Sequence, residues 1–198
     1  MNINRITIIF TIFLSTSFSC QQITQANSVI VIQPFNDFTP ELTNSVFAKL
    51  KEINPNTILK TPFQLPIKAY YPPRNRYRAD SLIKYLSNFG SADTVVIGMT
   101  NKDISSTKGS VSDFGIMGLG YCPGNSCVVS TFRLAKTNLS EQFYKLAIHE
   151  LGHTQGLPHC SNKICFMRDA NGKNVLNEEK DFCTSCKSFL KNKGWQLK

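Results

Sequence analysis

The sequence has no apolar run long enough to cross a bilayer as a helix, which needs about 20 residues. Its longest candidate, Ile6 to Leu14, falls well short. It has no glycine-rich phosphate loop, no dinucleotide-binding fingerprint and no nucleophilic-serine signature. Nucleotide-dependent and serine-hydrolase chemistries therefore have nothing to stand on. No internal repeat or low-complexity linker interrupts the 198 residues, a length that fits one domain better than two. Acidic residues are scarce, 13 against 22 Lys and Arg, for a formal charge of +9. That excess is spread thinly. Its densest patches, Arg74, Arg76 and Arg78, then Lys187, Lys191, Lys193 and Lys198, interleave with no nucleic-acid motif and read as solvated faces. No nucleic-acid partner is expected. Histidine is scarce too: there are three, and all of them lie between positions 149 and 159.

At the N-terminus, one positive charge at Arg5, a short apolar stretch and small residues before Cys20 read as an export signal. Ser17-Phe18-Ser19-Cys20 resembles a loose bacterial lipoprotein signal. The expectation is a signal peptide over 1–19 and a mature domain over 20–198, anchored to a membrane through lipidated Cys20 and facing the periplasm or cell exterior. Ordinary secretion is the alternative.

Along the chain, Ser28 to Gln33 is a β-branched run that predicts a strand. Pro40 to Ile53 carries Leu42, Val46, Phe47 and Leu50 at helical spacing. Thr57 to Lys60 and Ile67 to Tyr70 predict short strands. Tyr77 to Phe89 predicts a helix closed by Gly90. Thr94 to Met99 is a buried strand, and Asp113 to Leu119 and Ser126 to Leu134 are two more. A helix is expected from Ser140 to Gly156, and a mostly helical tail from Asn177. Strands alternating with helices imply an α/β sheet of about five strands.

The chemistry concentrates in His149-Glu-Leu-Gly-His153-Thr-Gln-Gly156-Leu-Pro-His159. Residues four apart on a helix share a face, so His149 and His153 can present imidazoles to one ion. Gly156 permits a sharp turn and Pro158 bars continuation of the helix, so His159 can swing back. Three neutral imidazoles leave a fourth zinc position open, the arrangement of catalytic zinc. Glu150 is placed to act as general base on water at that ion.

Seven cysteines are many for this length. Cys122 and Cys127 bracket the turn-forming Pro-Gly-Asn-Ser and are expected to form a disulfide. Cys160, Cys165, Cys183 and Cys186 look like a set. Their C-x4-C and C-x2-C spacing suits a closed tetrahedral zinc site, while export would favour disulfides. Both remain open on spacing alone.

The extended histidine motif, followed by Cys160, Cys165, Met167, Cys183 and Cys186, resembles the archaemetzincins, a family of metzincin-clan metalloproteases. The resemblance covers chiefly the C-terminal third of the chain, with the strand-rich segment Asp113 to Leu134 also similar. It implies an α+β metzincin-like fold: a mixed, roughly five-stranded twisted sheet, an active-site helix and a helical, cysteine-rich C-terminal subdomain. It further implies catalytic zinc on His149, His153 and His159, a second, structural zinc on the four cysteines, and Met167 in a Met-turn beneath the catalytic metal. Gly115 to Leu119 is then expected as a sheet edge beside the cleft, pairing with extended substrate. The function expected is a monomeric zinc metallopeptidase acting on peptides or proteins. The alternative is a non-catalytic zinc-binding exported lipoprotein that keeps the fold, although such a protein has no need of Glu150.

Overall fold

Continuous β-branched runs suit strands that are covered on both faces, and the chain uses them that way. The computed structural model describes residues 29–198, so the expected signal segment and Cys20 lie outside the described residues. In chain order the elements are β1 (Val29–Pro34), α1 (Pro40–Ile53), β2 (Ile58–Leu59), β3 (Tyr70–Tyr71), β4 (Arg76–Arg78), α2 (Ala79–Leu86) and β5 (Thr94–Thr100). After these come β6 (Ile104–Lys108), β7 (Val111–Ile116), β8 (Gly118–Gly120), β9 (Ser126–Ser130), α3 (Leu139–Thr154) and α4 (Thr184–Asn192).

The main sheet has five strands in the order β2-β1-β5-β9-β8. All neighbours are parallel except β8, which runs antiparallel to β9 along the edge. Successive side chains alternate between its faces. Ile30, Ile32, Val95, Ile97, Met99 and Val129 face α1 and α3. Val31, Val96 and Val128 face Leu82, Ile83 and Leu86 of α2. Each fully buried aliphatic side chain of this kind contributes about 1.5–3 kcal/mol, so the sheet is clamped between two apolar layers.

A second sheet, β3-β4-β6-β7, was not expected. Its strands are short and polar, and ion pairs hold much of it. Arg76 is only 8 % exposed, with Nε 3.0 Å from Asp103 and Nη1 3.1 Å from Asp113. The Arg74–Arg78 patch is thus in part a buried network, not a solvated face. Hydrogen bonding from Ser105 and the nearby Arg76 guanidinium hold the Asp113 carboxyl below its usual range. Because β4 claims Arg76 to Arg78, α2 begins at Ala79, and a 3-10 turn takes Ser87–Phe89. The expected strand Ile67 to Tyr70 is mostly a 3-10 turn, Ile67–Ala69, hemmed by prolines. The expected strand Asp113 to Leu119 splits at Met117: β7 ends the second sheet and β8 edges the first. The expected helical tail from Asn177 begins only at Thr184; the residues before it pass through a turn, and Asp181 bridges Cys165.

Candidate active site

Helix α3 buries Phe143, Ala147, Ile148 and Leu151 in the core. This leaves His149 and His153, one turn apart, on another face, with Nε2 atoms 3.0 Å apart. The helix ends in a Schellman turn. Leu157 N–H donates to Gly152 O at 3.1 Å and Gly156 N–H to His153 O at 2.8 Å. Gly156 sits at φ +100°, a conformation other residues rarely adopt. The reversal brings in His159, and the ligating atoms of the three histidines all lie within 4.8 Å of one another.

Backbone carbonyls fix two of the three rings. His149 Nδ1 is 2.6 Å from Phe166 O and His153 Nδ1 is 2.7 Å from Leu157 O. A carbonyl only accepts, so both Nδ1 atoms carry the proton and both Nε2 lone pairs point at each other. Two acceptors this close call for a cation between them. Their separation is near the ligand–ligand edge of about 3.3 Å that Zn–N bonds of 2.0–2.1 Å generate in a tetrahedron. The donor set therefore fits zinc. Burial, then the neighbouring His153, lowers the His149 pKa to about 3, and burial also lowers that of His153. Both stay neutral at neutral pH, the state a metal ligand needs. His159 is half-exposed and faces Asp169 across 3.8 Å.

Glu150 is buried under β8, and the backbone there makes room for it. A Cβ on Gly118 would lie 2.5 Å from Glu150 Oε1, and one on Gly120 would lie 2.8 Å from Glu150 O. That burial pushes the Glu150 carboxyl up to about 8. Met167 is fully buried under the same helix, where a Cβ on Gly152 would meet its Sδ at 2.5 Å. His149, Glu150 and His159 line a cleft of about 370 Å³ whose opposite wall is the segment Phe114 to Gly118.

Cys160, Cys165, Cys183 and Cys186 also converge, with all Sγ atoms within 4.8 Å. Cys160 and Cys183 are 3.7 Å apart, too far for a disulfide and near the edge of about 3.8 Å set by Zn–S bonds of 2.3 Å. Backbone N–H groups of Met167 and Cys183 donate to Cys165 Sγ at 3.5 and 3.3 Å. Hydrogen bonding with Ser185 lowers the Cys183 pKa to about 6, while burial raises those of Cys165 and Cys186.

The expected Cys122–Cys127 disulfide is corrected: both are free thiols. Cys127 points into the core and is fully buried, while the Cys122 thiol donates to Leu157 O at 3.4 Å. Sequence reasoning missed Gly118 and Gly120, although glycine inside a strand is a known sign of close backbone approach. It also missed Asp169 beside His159, and Glu179, which lines the cleft.

Residues 28–192 match the family described as Peptidase family M54. An archaemetzincin of Archaeoglobus fulgidus is 32% identical over 168 residues, covering 82% of this chain and 98% of that protein. One of Haloquadratum walsbyi is 28% identical over 176 residues, covering 82% and 99%. Among solved structures, the Archaeoglobus fulgidus archaemetzincin superposes with a TM-score of 0.69 at 30% identity, over 81% of this chain and 98% of that one. The archaemetzincin of Methanopyrus kandleri gives 0.71 at 25% identity, over 86% and 98%. A three-histidine site fit for zinc, a glutamate buried beside it and relatives matched along nearly their whole length lead to one assignment: the chain belongs to peptidase family M54, the archaemetzincins, and is a zinc metallopeptidase.

Proposed function

We propose that the chain hydrolyses peptide bonds with water, with His149, His153 and His159 holding the catalytic zinc and Glu150 moving the proton. The observation that carries this is the pair of opposed Nε2 lone pairs 3.0 Å apart, with Glu150 buried one residue away. Bound there, zinc supplies Lewis acidity that polarises a carbonyl and acidifies water. A cation on the neighbouring histidines would offset the burial that raises the Glu150 carboxyl. The Glu150 carboxylate then accepts the proton as water attacks the scissile carbonyl, and the resulting acid hands it to the leaving amine. Enclosure by the β8 glycines keeps that carboxyl where both transfers are feasible. The Phe166 and Leu157 carbonyls hold the imidazoles in the tautomer that leaves Nε2 free. Met167 packs beneath the helix and fixes the height of the site. An extended substrate lies along the segment Phe114 to Gly118, pairing with an edge strand through its main chain.

The cysteine cluster holds a second, structural zinc in the same proposal, supported by the spacing of its sulfurs and the N–H groups aimed at them. Export, a lipid anchor at Cys20 and a monomeric state complete the reading and rest on the sequence.

The test is a metal count and thiol titration on the wild type and Glu150→Gln, run beside hydrolysis of a peptide library. Two zinc ions per chain are expected in both proteins, with hydrolysis reduced about 10²–10⁴-fold in the variant. No zinc after reconstitution would overturn the histidine assignment. Bound zinc without hydrolysis of any peptide would favour the non-catalytic binding protein. One zinc with no free thiols would remove the structural zinc and leave the peptidase.

A further inference from the structure

Glu179 stands in an unusual setting. It is 2 % exposed, it lines the cleft, and its Oε2 is buried with no hydrogen-bond partner among the described residues. The charges around it are engaged elsewhere. Lys145 on α3 gives its ammonium to Leu176 O at 3.0 Å, to Glu179's own backbone O at 2.6 Å and to Glu141 at 2.9 Å. Arg168 is paired with Glu178 at 2.6 Å. Burial pushes the Glu179 carboxyl up to about 7, against the opposing pull of Lys145 and Arg168 and with help from Glu178. A buried acid without a partner is costly, and one lining a cleft beside a catalytic centre is a candidate for function.

The walls around it say what it would take. Leu146, one turn before Glu150 on α3, joins Val175 and Leu176 as buried apolar lining, while Lys108 and Lys173 stand exposed at the mouth. Arg133 and Arg168 also line the cleft but are held by Asp103 and Glu178, and Asp169 lies beside His159. Apart from Glu150, Glu179 is then the buried carboxylate of the lining, and with the apolar residues it matches a side chain with an aliphatic stem and a cationic head. The lysines at the mouth are in water and screened, whereas Glu179 is not.

We propose that Glu179 makes the inner end of the cleft a subsite for a basic side chain, lysine or arginine, of the peptide substrate. This deepens the peptidase reading and rests on it. The same carboxylate could take an ammonium from a free N-terminus, so the test separates the two sources. Peptides acetylated at the N-terminus and amidated at the C-terminus carry Lys or norleucine at each position around the scissile bond. A further arm leaves the norleucine peptide with a free N-terminus.

Wild type should favour Lys over norleucine at one position by about tenfold or more in kcat/KM. The ratio should rise with pH through about 7, as Glu179 ionises, because titrations common to both substrates cancel. In Glu179→Gln it should fall to within about threefold. A wild-type ratio near one at every position overturns the subsite, as does a ratio that Glu179→Gln leaves unchanged. A preference only for the free N-terminus overturns the side-chain assignment. If the wild type cuts neither peptide, the peptidase reading fails instead. The subsite is then decided by titration calorimetry on zinc-loaded Glu150→Gln: tighter binding of the Lys peptide supports it, and equal binding overturns it.

Discussion

The two ligand clusters meet at consecutive residues, His159 and Cys160, yet they are built in opposite ways. The histidines come from one helix and the turn after it; carbonyls orient His149 and His153, and His149 and His159 line the cleft. The cysteines come from two loop segments and the first turn of α4, draw backbone N–H groups toward sulfur, and none of them lines the cleft. Three neutral ligands with an open side suit chemistry, and four thiols turned inward suit a staple. Proximity in sequence does not decide the role of a cluster; the number of donors and the open side do.

The sharpest way to break this contrast is to remove one ligand from each cluster. Cys165, fully buried, should be the costlier loss. Cys165→Ser is expected to lower stability by several kcal/mol, on the order of the energy a structural zinc lends to folding. His153→Ala should abolish the histidine-bound zinc and hydrolysis with a much smaller drop in melting temperature. Thermal melts beside zinc counts decide it, and equal destabilisation would erase the distinction. A finer cut is Gly118→Ala, whose Cβ would lie 2.5 Å from Glu150 Oε1. It should leave zinc content unchanged and reduce kcat/KM about 10²-fold, the effect of a small misplacement of a reacting group. Loss of zinc instead would show that β8 supports the ligands and not the base.

The smallest effect concerns stability against pH. Glu179 has its folded pKa raised to about 7, above an unfolded value of about 4.3. Its contribution is fully present below the unfolded value and is lost as pH rises through about 7. Glu179→Gln removes that loss. It should stabilise the protein by about 1–3 kcal/mol at pH 8, with the gain shrinking to about a third at pH 5. Denaturant midpoints at the two pH values measure it. A pH-independent effect would mean that the carboxyl is not held up by burial.

What the sequence disclosed follows the strength of its patterns. Helix α1 occupies Pro40–Ile53 as its apolar spacing and opening proline predict, and β1 and β5 lie where the apolar runs are. The histidines could be brought together on paper because helix periodicity and one glycine turn suffice to do it. The second sheet could not be read. Arg76–Arg78 and Ile104–Lys108 carry little apolar alternation, and buried ion pairs, invisible to a hydropathy pattern, hold them. Cys122 and Cys127 looked paired because they bracket a turn, but β-sheet alternation sends Cys127 into the core. Glu179 gave no signal, since an acid in a polar loop looks solvated until the loop is folded over a cleft.

The loop between Cys160 and Met167 ties the clusters together more closely than their chemistry suggests. Cys160 N–H donates to Met167 O at 2.7 Å, Phe166 O receives His149, and Phe166 N–H reaches Asp181 O at 3.1 Å. One short loop thus carries a cysteine of one cluster and the carbonyl that orients a histidine of the other, and whatever influence either cluster has on its neighbour through that loop is mutual.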